Sequence, residues 1–204
     1  PRTAICLSAD IRTCFDNIKQ SLLGRCLEQA GMPAWMRMGD MKEYLDLVAH
    51  PRIAGAEECE DIKYSKAAKT GAGETPEILR ILLWWALTDV VRKWRRQDRG
   101  WELEGWEETR TPAMSHMMMF DNIFLIADSD YTAQAMLDDV TKAFWENLGM
   151  SWKPDSLELL RSTTWERIKS MKAWIADEGC WKEVKEVSEM RILGGMVDGK
   201  GTSR

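Results

Sequence analysis

The sequence predicts an α+β fold in which an antiparallel sheet carries helices packed on one face. A short apolar strand lies near the start of the chain, and two apolar runs flank Asp121-Asn122 at hairpin spacing. Apolar residues at helical spacing fill most of the chain between these strands. Because the strands are segregated from the helices, an α+β layer is favoured over alternating βαβ units.

Composition places the chain among globular proteins. It has 204 residues, of which 45% are hydrophobic and 30% are charged, which is enough to bury a core. Its longest apolar stretch, 78–91, contains Arg80 and Asp89 and is too short for a membrane span. The formal net charge of −5 disfavours a free-standing nucleic-acid binder.

Cysteine usage indicates an intracellular protein, nuclear or cytoplasmic. The five cysteines are an odd number and include no C-x-x-C pair, which argues against a disulfide framework and against a zinc site. The first residues do not have the pattern of a signal peptide.

The first third of the chain is predicted to form one strand and two helices. The strand covers 3–9 and ends at Asp10, and helical spacing over 18–30 ends at Gly31. A second amphipathic helix is predicted over 34–48. Its apolar stripe consists of Trp35, Met38, Met41, Leu45 and Val48.

The middle of the chain predicts a long helix and a hairpin. Thr75-Pro76 is typical of a helix start, and this helix runs to about Trp94 with a solvated basic end over 92–96. Apolar runs within 114–127 predict a hairpin with Asp121-Asn122 at its tip.

The last third predicts two helices and two strands. Asp130 is a candidate N-cap for a helix that Gly149 ends. The buried stripe of this helix is predicted to be Ala133, Met136, Leu137, Val140, Phe144 and Leu148. Spacing over 165–175 suggests a further helix, and 180–187 with 191–197 suggest a closing pair of strands.

Asp10 and Asp121 are the residues best placed for chemistry. One ends a strand and the other lies at a hairpin tip, where the geometry exposes side chains. Two converging carboxylates could hold two divalent cations, the arrangement that nucleotidyl transfer uses. Bare carboxylates about 4 Å apart would repel by about 4 kcal/mol at an effective dielectric of 20, so the pair is reasonable only with metal.

The sequence around both acids resembles the palm of reverse transcriptases, particularly the non-LTR retrotransposon and group II intron type. Residues 7–18, LSADIRTCFDNI, are similar to the first palm motif, and 119–127, MFDNIFLIA, to the aromatic-x-Asp-Asp hairpin. Residues 192–197, ILGGMV, are similar to the Leu-Gly primer-grip hairpin. With the helical segment over 22–35 and the helix and strand over 135–153, the resemblance extends over roughly residues 4–200 in the family's order.

This resemblance implies a role for eight residues. Asp10, Asp121 and Asn122 would be the catalytic residues and the ligands of Mg²⁺ or Mn²⁺. The remaining implied roles are nucleotide binding by Ile11, Phe15 and Gly73 and primer binding by Leu193 and Gly194. A flat ring at Phe15 would leave no room for a 2′-hydroxyl and would favour dNTPs.

The chain departs from the family pattern at three places. Asn122 replaces the second acid of the hairpin and lacks its charge. The expected Gln-Gly before the central helix is replaced within 71–76, GAGETP. The lysine that follows the last helix of the family falls at Ser156, with Lys153 nearby but out of register.

The resulting hypothesis is a single palm domain over 1–204 of an RNA-directed DNA polymerase. It would act on an RNA template with a DNA primer and dNTPs, without a membrane. Fingers before residue 1 and a thumb after residue 204 are expected on the same polypeptide. One alternative is a non-catalytic remnant kept as a structural or binding module. Another is an unrelated α+β helper domain whose motif matches arise by chance.

Overall fold

The computed structural model describes residues 4–44, 48–49, 61–63, 75–101, 113–162, 170–192 and 195–199. Packing divides the chain into two compact units, one formed by 1–12 with 87–204 and one formed by 13–86. The single domain expected over 1–204 stays a prediction.

The described residues form the following helices and strands. The helices are α1 (Gln20–Gln29), α2 (Ala34–Tyr44), α3 (Thr75–Arg96) and α4 (Asp130–Ala143). The strands are β1 (Ile5–Asp10), β2 (Val48–Ala49), β3 (Ile62–Lys63), β4 (His116–Met119), β5 (Asn122–Ala127), β6 (Glu158–Arg161), β7 (Lys172–Ile175), β8 (Cys180–Glu183), β9 (Lys185–Glu186), β10 (Glu189–Ile192) and β11 (Gly195–Asp198). None of the helices in these ranges has the length and apolar character needed to cross a bilayer.

The smaller unit contains α1 packed against α2. Gly31 follows α1 with a φ of 80°, the left-handed conformation that glycine adopts easily. The prediction that α2 extends to Val48 is wrong, because α2 ends at Tyr44 and Val48 pairs with Lys63. The predicted buried stripe of α2 is wrong at its start as well, since Trp35 and Met38 are 74% and 72% exposed.

The larger unit is built on a five-stranded sheet in the order β4-β5-β1-β6-β9. All neighbours are antiparallel except β6 and β9, which run parallel. The central strand β1 pairs Leu7 with Leu125 of β5 and with Leu159 of β6. This arrangement confirms the predicted α+β class and its antiparallel sheet.

The helix α4 covers one face of this sheet. Leu7, Leu125 and Leu159 lie on that face and are at most 2% exposed. The predicted stripe is buried at all six positions, of which the last two lie in a π-helical turn, Phe144–Leu148, that continues α4. Gly149 follows this turn with a φ of 68°. The apolar spacing therefore identified both the helix and the face that it buries.

The N-terminus of α4 differs from the prediction. Ser129, and not Asp130, is the N-cap, because its hydroxyl accepts a hydrogen bond from the Thr132 amide. Asp130 is instead buried and accepts two hydrogen bonds from the Arg161 guanidinium, at 3.0 and 2.9 Å. Arg161 also pairs with Glu186 on β9, so these side chains link α4 to the sheet.

A hairpin covers part of the opposite face. Phe124 and Leu160 pack there against Met190 of β10, with Val197 of β11 beside them. The prediction that strands over 180–187 and 191–197 pair with each other is wrong. Instead, β10 pairs with β11 and β8 pairs with β7. Because side chains alternate along β1, Asp10 lies on this same face. It lies at the end of the strand that the apolar cluster does not cover.

The helix predicted over 165–175 is wrong at its end. Residues 172–175 form β7, in which Ala173 and Ile175 are buried while Lys172 is exposed. Every second residue of β7 is therefore buried, and this strand packs against α4. The apolar spacing over 165–175 was compatible with a helix, which is why the strand was not predicted.

Candidate active site

Asp10 and Asn122 lie opposite each other at the end of two paired strands. Asp10 is the last residue of β1 and is in register with Asn122, the first residue of β5. Since paired residues of antiparallel strands share a face, both side chains lie on the face opposite α4. The structure thus brings two of the three predicted metal ligands together.

The hairpin tip lies one residue earlier than predicted. Met119 pairs with Asn122, so the two-residue loop is Phe120-Asp121 and Asn122 belongs to β5. Phe120 adopts a φ of 54°, an uncommon conformation for a bulky residue. The register of β4 with β5 decides this, and the sequence pattern does not reveal it.

The turn brings Asp121 next to the end of β1. Its carbonyl oxygen accepts a hydrogen bond of 2.8 Å from the Ile11 amide, which immediately follows Asp10. Asp121 is half-buried, as are Asp10 and Asn122. All three predicted ligands therefore lie at the same end of the paired strands β1 and β5.

The electrostatics of Asp10 reflect this crowding. Burial is the main cause that raises the pKa of its carboxyl above the ordinary value, and the nearby Asp121 carboxylate raises it further. The Lys153 ammonium lowers this pKa and Glu158 raises it, and the outcome is an increase. Asp10 therefore lies in a region of net negative charge that a cation would relieve.

A second segment holds the backbone beyond β1. The Arg12 amide donates to the Ser151 carbonyl at 2.9 Å, and the Lys153 amide donates to the Asp10 carbonyl at 2.9 Å. Between these bonds Ile11 forms an antiparallel bridge with Trp152, and both side chains are buried. The residues after Asp10 are thus fixed on two sides, by the hairpin turn and by this segment.

The donor set suits a hard divalent cation. Two carboxylates and one amide offer oxygen ligands, which Mg²⁺ and Mn²⁺ prefer. Within the described ranges, no cluster of three or more acidic, histidine or cysteine side chains could hold a metal ion.

The other predicted site residues have different placements. The side chain of Ile11 is buried and its amide is bonded to Asp121, and Phe15 is half-buried in a 3₁₀ turn of the smaller unit. Gly73, Leu193 and Gly194 lie outside the described residues. On either side of Leu193 and Gly194, Ile192 of β10 pairs with Gly195 of β11. The nucleotide and primer roles stay predictions.

Sequence reasoning missed what Ser156 does. It marked this position only as lacking the lysine of the family, yet the Ser156 hydroxyl accepts a hydrogen bond of 2.9 Å from the Asp10 amide. A serine at the end of a Lys-Pro-Asp-Ser turn, directly before an apolar strand, is the signal that was available.

The chain is similar over its full length to two solved telomerase structures. One is apo telomerase from Candida tropicalis truncated from its C-terminal domain, with a TM-score of 0.59, 10% identity and 36% of that chain covered. The other is telomerase from Candida albicans in complex with the TWJ fragment of telomeric RNA, with a TM-score of 0.61, 13% identity and 30% of that chain covered. The chain has a polymerase-like fold. No protein-family model matches it, and no curated protein is similar to it in sequence.

Telomerase is a reverse-transcriptase-related polymerase, so at the level of the fold the likeness agrees with the resemblance to reverse transcriptases. The chain spans about a third of the length of these two structures. The assignment to the non-LTR or group II type stays a prediction.

Proposed function

We propose that the chain is the palm of an RNA-directed DNA polymerase of the non-LTR retrotransposon or group II intron type. One observation carries this proposal: strand register and a hairpin turn bring Asp10, Asp121 and Asn122 to the same end of β1 and β5 in a polymerase-like fold. The proposed substrates are dNTPs and a DNA primer on an RNA template. The telomeric RNA fragment bound to one of the similar telomerases supports RNA as a binding partner.

Asp10 and Asp121 would bind Mg²⁺ or Mn²⁺, with the Asn122 amide oxygen as a neutral ligand. When bound, the cations would activate the primer 3′-hydroxyl and neutralise charge on the leaving pyrophosphate. The protein itself positions these ligands through backbone hydrogen bonds. The Asp121 carbonyl accepts one from the Ile11 amide, and the Lys153 amide donates one to the Asp10 carbonyl. Such positioning, together with charge neutralisation, is the main source of catalysis in this reaction class.

Primer extension on a primed RNA template tests the proposal, with Mg²⁺ and Mn²⁺ assayed separately. The experiment uses the whole natural polypeptide, because fingers and a thumb are proposed parts of the same protein. We expect Asp121→Ala to lower extension by at least about 100-fold. Asp128→Ala is the matched control, since Asp128 is an exposed aspartate at the other end of β5. Extension that survives Asp121→Ala would reject the proposal.

One observation favours a second candidate, a non-catalytic remnant that binds nucleic acid or another protein. Asn122 lies in register with Asp10 at the position where the family has an acid. A stable protein that binds primed RNA but extends no primer with either metal would support this candidate.

A further inference from the structure

The pairing of β1 with β6 ends before it reaches Asp10. The ladder runs from Ile5 opposite Arg161 to Ser8 opposite Glu158. Toward Asp10, the chain preceding β6 turns away into a 3₁₀ turn over Pro154–Ser156. The amide of Asp10 therefore needs a partner that regular β pairing with β6 does not supply.

The side chain of Ser156 is that partner. Its hydroxyl accepts a hydrogen bond from the Asp10 amide at 2.9 Å and donates one to the Lys153 carbonyl at 2.8 Å. The Lys153 amide in turn donates to the Asp10 carbonyl at 2.9 Å. Both backbone polar groups of Asp10 are thus bound to one segment of four residues, Lys153–Ser156.

The other end of β1, away from the candidate cation site, has the same kind of contact. The Ser162 hydroxyl accepts a hydrogen bond of 2.8 Å from the Ala4 amide, and the Ser162 amide donates to the Ala4 carbonyl at 2.9 Å. Six residues of extended strand, roughly 20 Å, separate Ala4 from Asp10. The chain therefore offers two matched serine contacts, of which only one adjoins the candidate cation site.

We propose that Ser156 is a positioning residue, which fixes the backbone of Asp10 so that its carboxylate stays directed toward the cation. This inference rests on the proposed function. Asp121 and Glu158 carry charge of the same sign as Asp10 and would push its carboxylate away from a shared ligand position. A partner that orients a metal ligand changes metal affinity even though it does not touch the metal.

Mn²⁺ binding, measured by electron paramagnetic resonance of the free ion, tests the inference without requiring activity. We expect Ser156→Ala to weaken Mn²⁺ binding about tenfold. Ser156→Thr keeps the hydroxyl and should bind close to wild type. Ser162→Ala should lower the melting temperature about as much as Ser156→Ala does and leave Mn²⁺ affinity unchanged. Asp10→Asn should bind no Mn²⁺ at this site.

Extension kinetics provide a second readout in the active polypeptide. Ser156→Ala should raise the Mg²⁺ concentration for half-maximal rate about tenfold, and saturating Mg²⁺ should recover most of the maximal rate. A merely structural serine would lower the amount of folded enzyme and leave the half-saturating Mg²⁺ concentration unchanged.

The outcomes separate this inference from the function on which it rests. Wild-type affinity in Ser156→Ala, together with lost binding in Asp10→Asn, would overturn the positioning role alone. Equal weakening in Ser156→Ala and Ser162→Ala would overturn it too, because the effect would then follow general loosening of β1. A wild-type protein that binds no Mn²⁺ would overturn both the proposed function and the role of Ser156.

Discussion

Two aspartates of the larger unit, Asp130 and Asp10, differ in how their negative charge is compensated. Asp130, at the start of α4, is 3% exposed and accepts two hydrogen bonds from Arg161. Asp10, at the end of β1, is half-buried beside Asp121, and its carboxylate accepts no hydrogen bond from the described residues. The protein neutralises the first charge internally and leaves the second crowded by charge of its own sign.

This difference distinguishes a structural acid from a site acid. A buried charge with its counter-charge at hydrogen-bond distance contributes to the order of the fold, and removing one partner is costly. A carboxylate whose pKa is raised, first by burial and then by like-charged neighbours, weakens the fold slightly and is stabilised by a bound cation. The comparison predicts opposite stability effects for substitutions at the two places.

The largest expected effect is at the structural pair. Arg161→Met would remove the guanidinium that neutralises the buried Asp130 carboxylate, at a cost of about 3–5 kcal/mol in the free energy of unfolding. Urea unfolding followed by circular dichroism measures this cost. Arg191→Met is the control, because Arg191 is exposed, and it should change the free energy by less than about 0.5 kcal/mol.

A double variant sharpens this prediction. Replacing both partners, as in Asp130→Leu with Arg161→Met, removes the unpaired charge and should recover most of the lost stability. If Arg161→Met alone were as stable as wild type, Asp130 would not be a structural acid that depends on its ion pair with Arg161.

Much of this contrast could be predicted from the sequence, but only for local features. Helical spacing identified the buried face of α4. Strand-end and turn signals identified Asp10 and Asp121 as exposed acids, and the resemblance to reverse transcriptases implied that they share a site. Asp130 was read as a helix cap, because its partner Arg161 lies 31 residues away. Periodicity has no information about such a distant pairing.

Strand register explains why the turn residues and the role of Ser156 were not predicted from the sequence. The one-residue shift that makes Phe120-Asp121 the turn places Asn122 in β5, opposite Asp10. Strand pairing decides this shift, and the pattern of apolar runs is compatible with either turn. The contact between Ser156 and Asp10 likewise joins residues 146 positions apart and depends on where β6 begins.

The next prediction concerns Asn122. Asn122→Asp would add a third carboxylate in register with Asp10, so it should tighten Mn²⁺ binding about tenfold and raise extension at low Mg²⁺. Without metal the same substitution should lower the melting temperature, because it adds like charge to the crowded edge. Calorimetric titration with Mn²⁺ and thermal unfolding with a chelator check both parts. Tighter binding without any loss of metal-free stability would contradict the crowding argument.

A smaller effect is expected at the N-cap of α4. Ser129→Ala removes the hydroxyl that accepts from the Thr132 amide and should cost about 1 kcal/mol of unfolding free energy. Ser129→Asp should retain the cap and serves as the conservative control. Equal losses in both variants would show that the hydroxyl does not act as a cap.

The smallest effect, and the most specific for the site acid, is the pH dependence at Asp10. Because the pKa of Asp10 is raised above its ordinary value, the folded protein holds the proton more tightly than the unfolded chain does. The ionised carboxylate therefore destabilises the fold at neutral pH, and this destabilisation is relieved as the pH falls through the raised pKa. Asp10→Asn should stabilise the metal-free protein at pH 7 by less than about 1 kcal/mol, since solvent screens a half-exposed charge. Thermal unfolding of both proteins in a chelator from pH 7 down to pH 4 should show this advantage shrinking, and an advantage that grew toward acid would mean that Asp10 is stabilised as a charge, as Asp130 is.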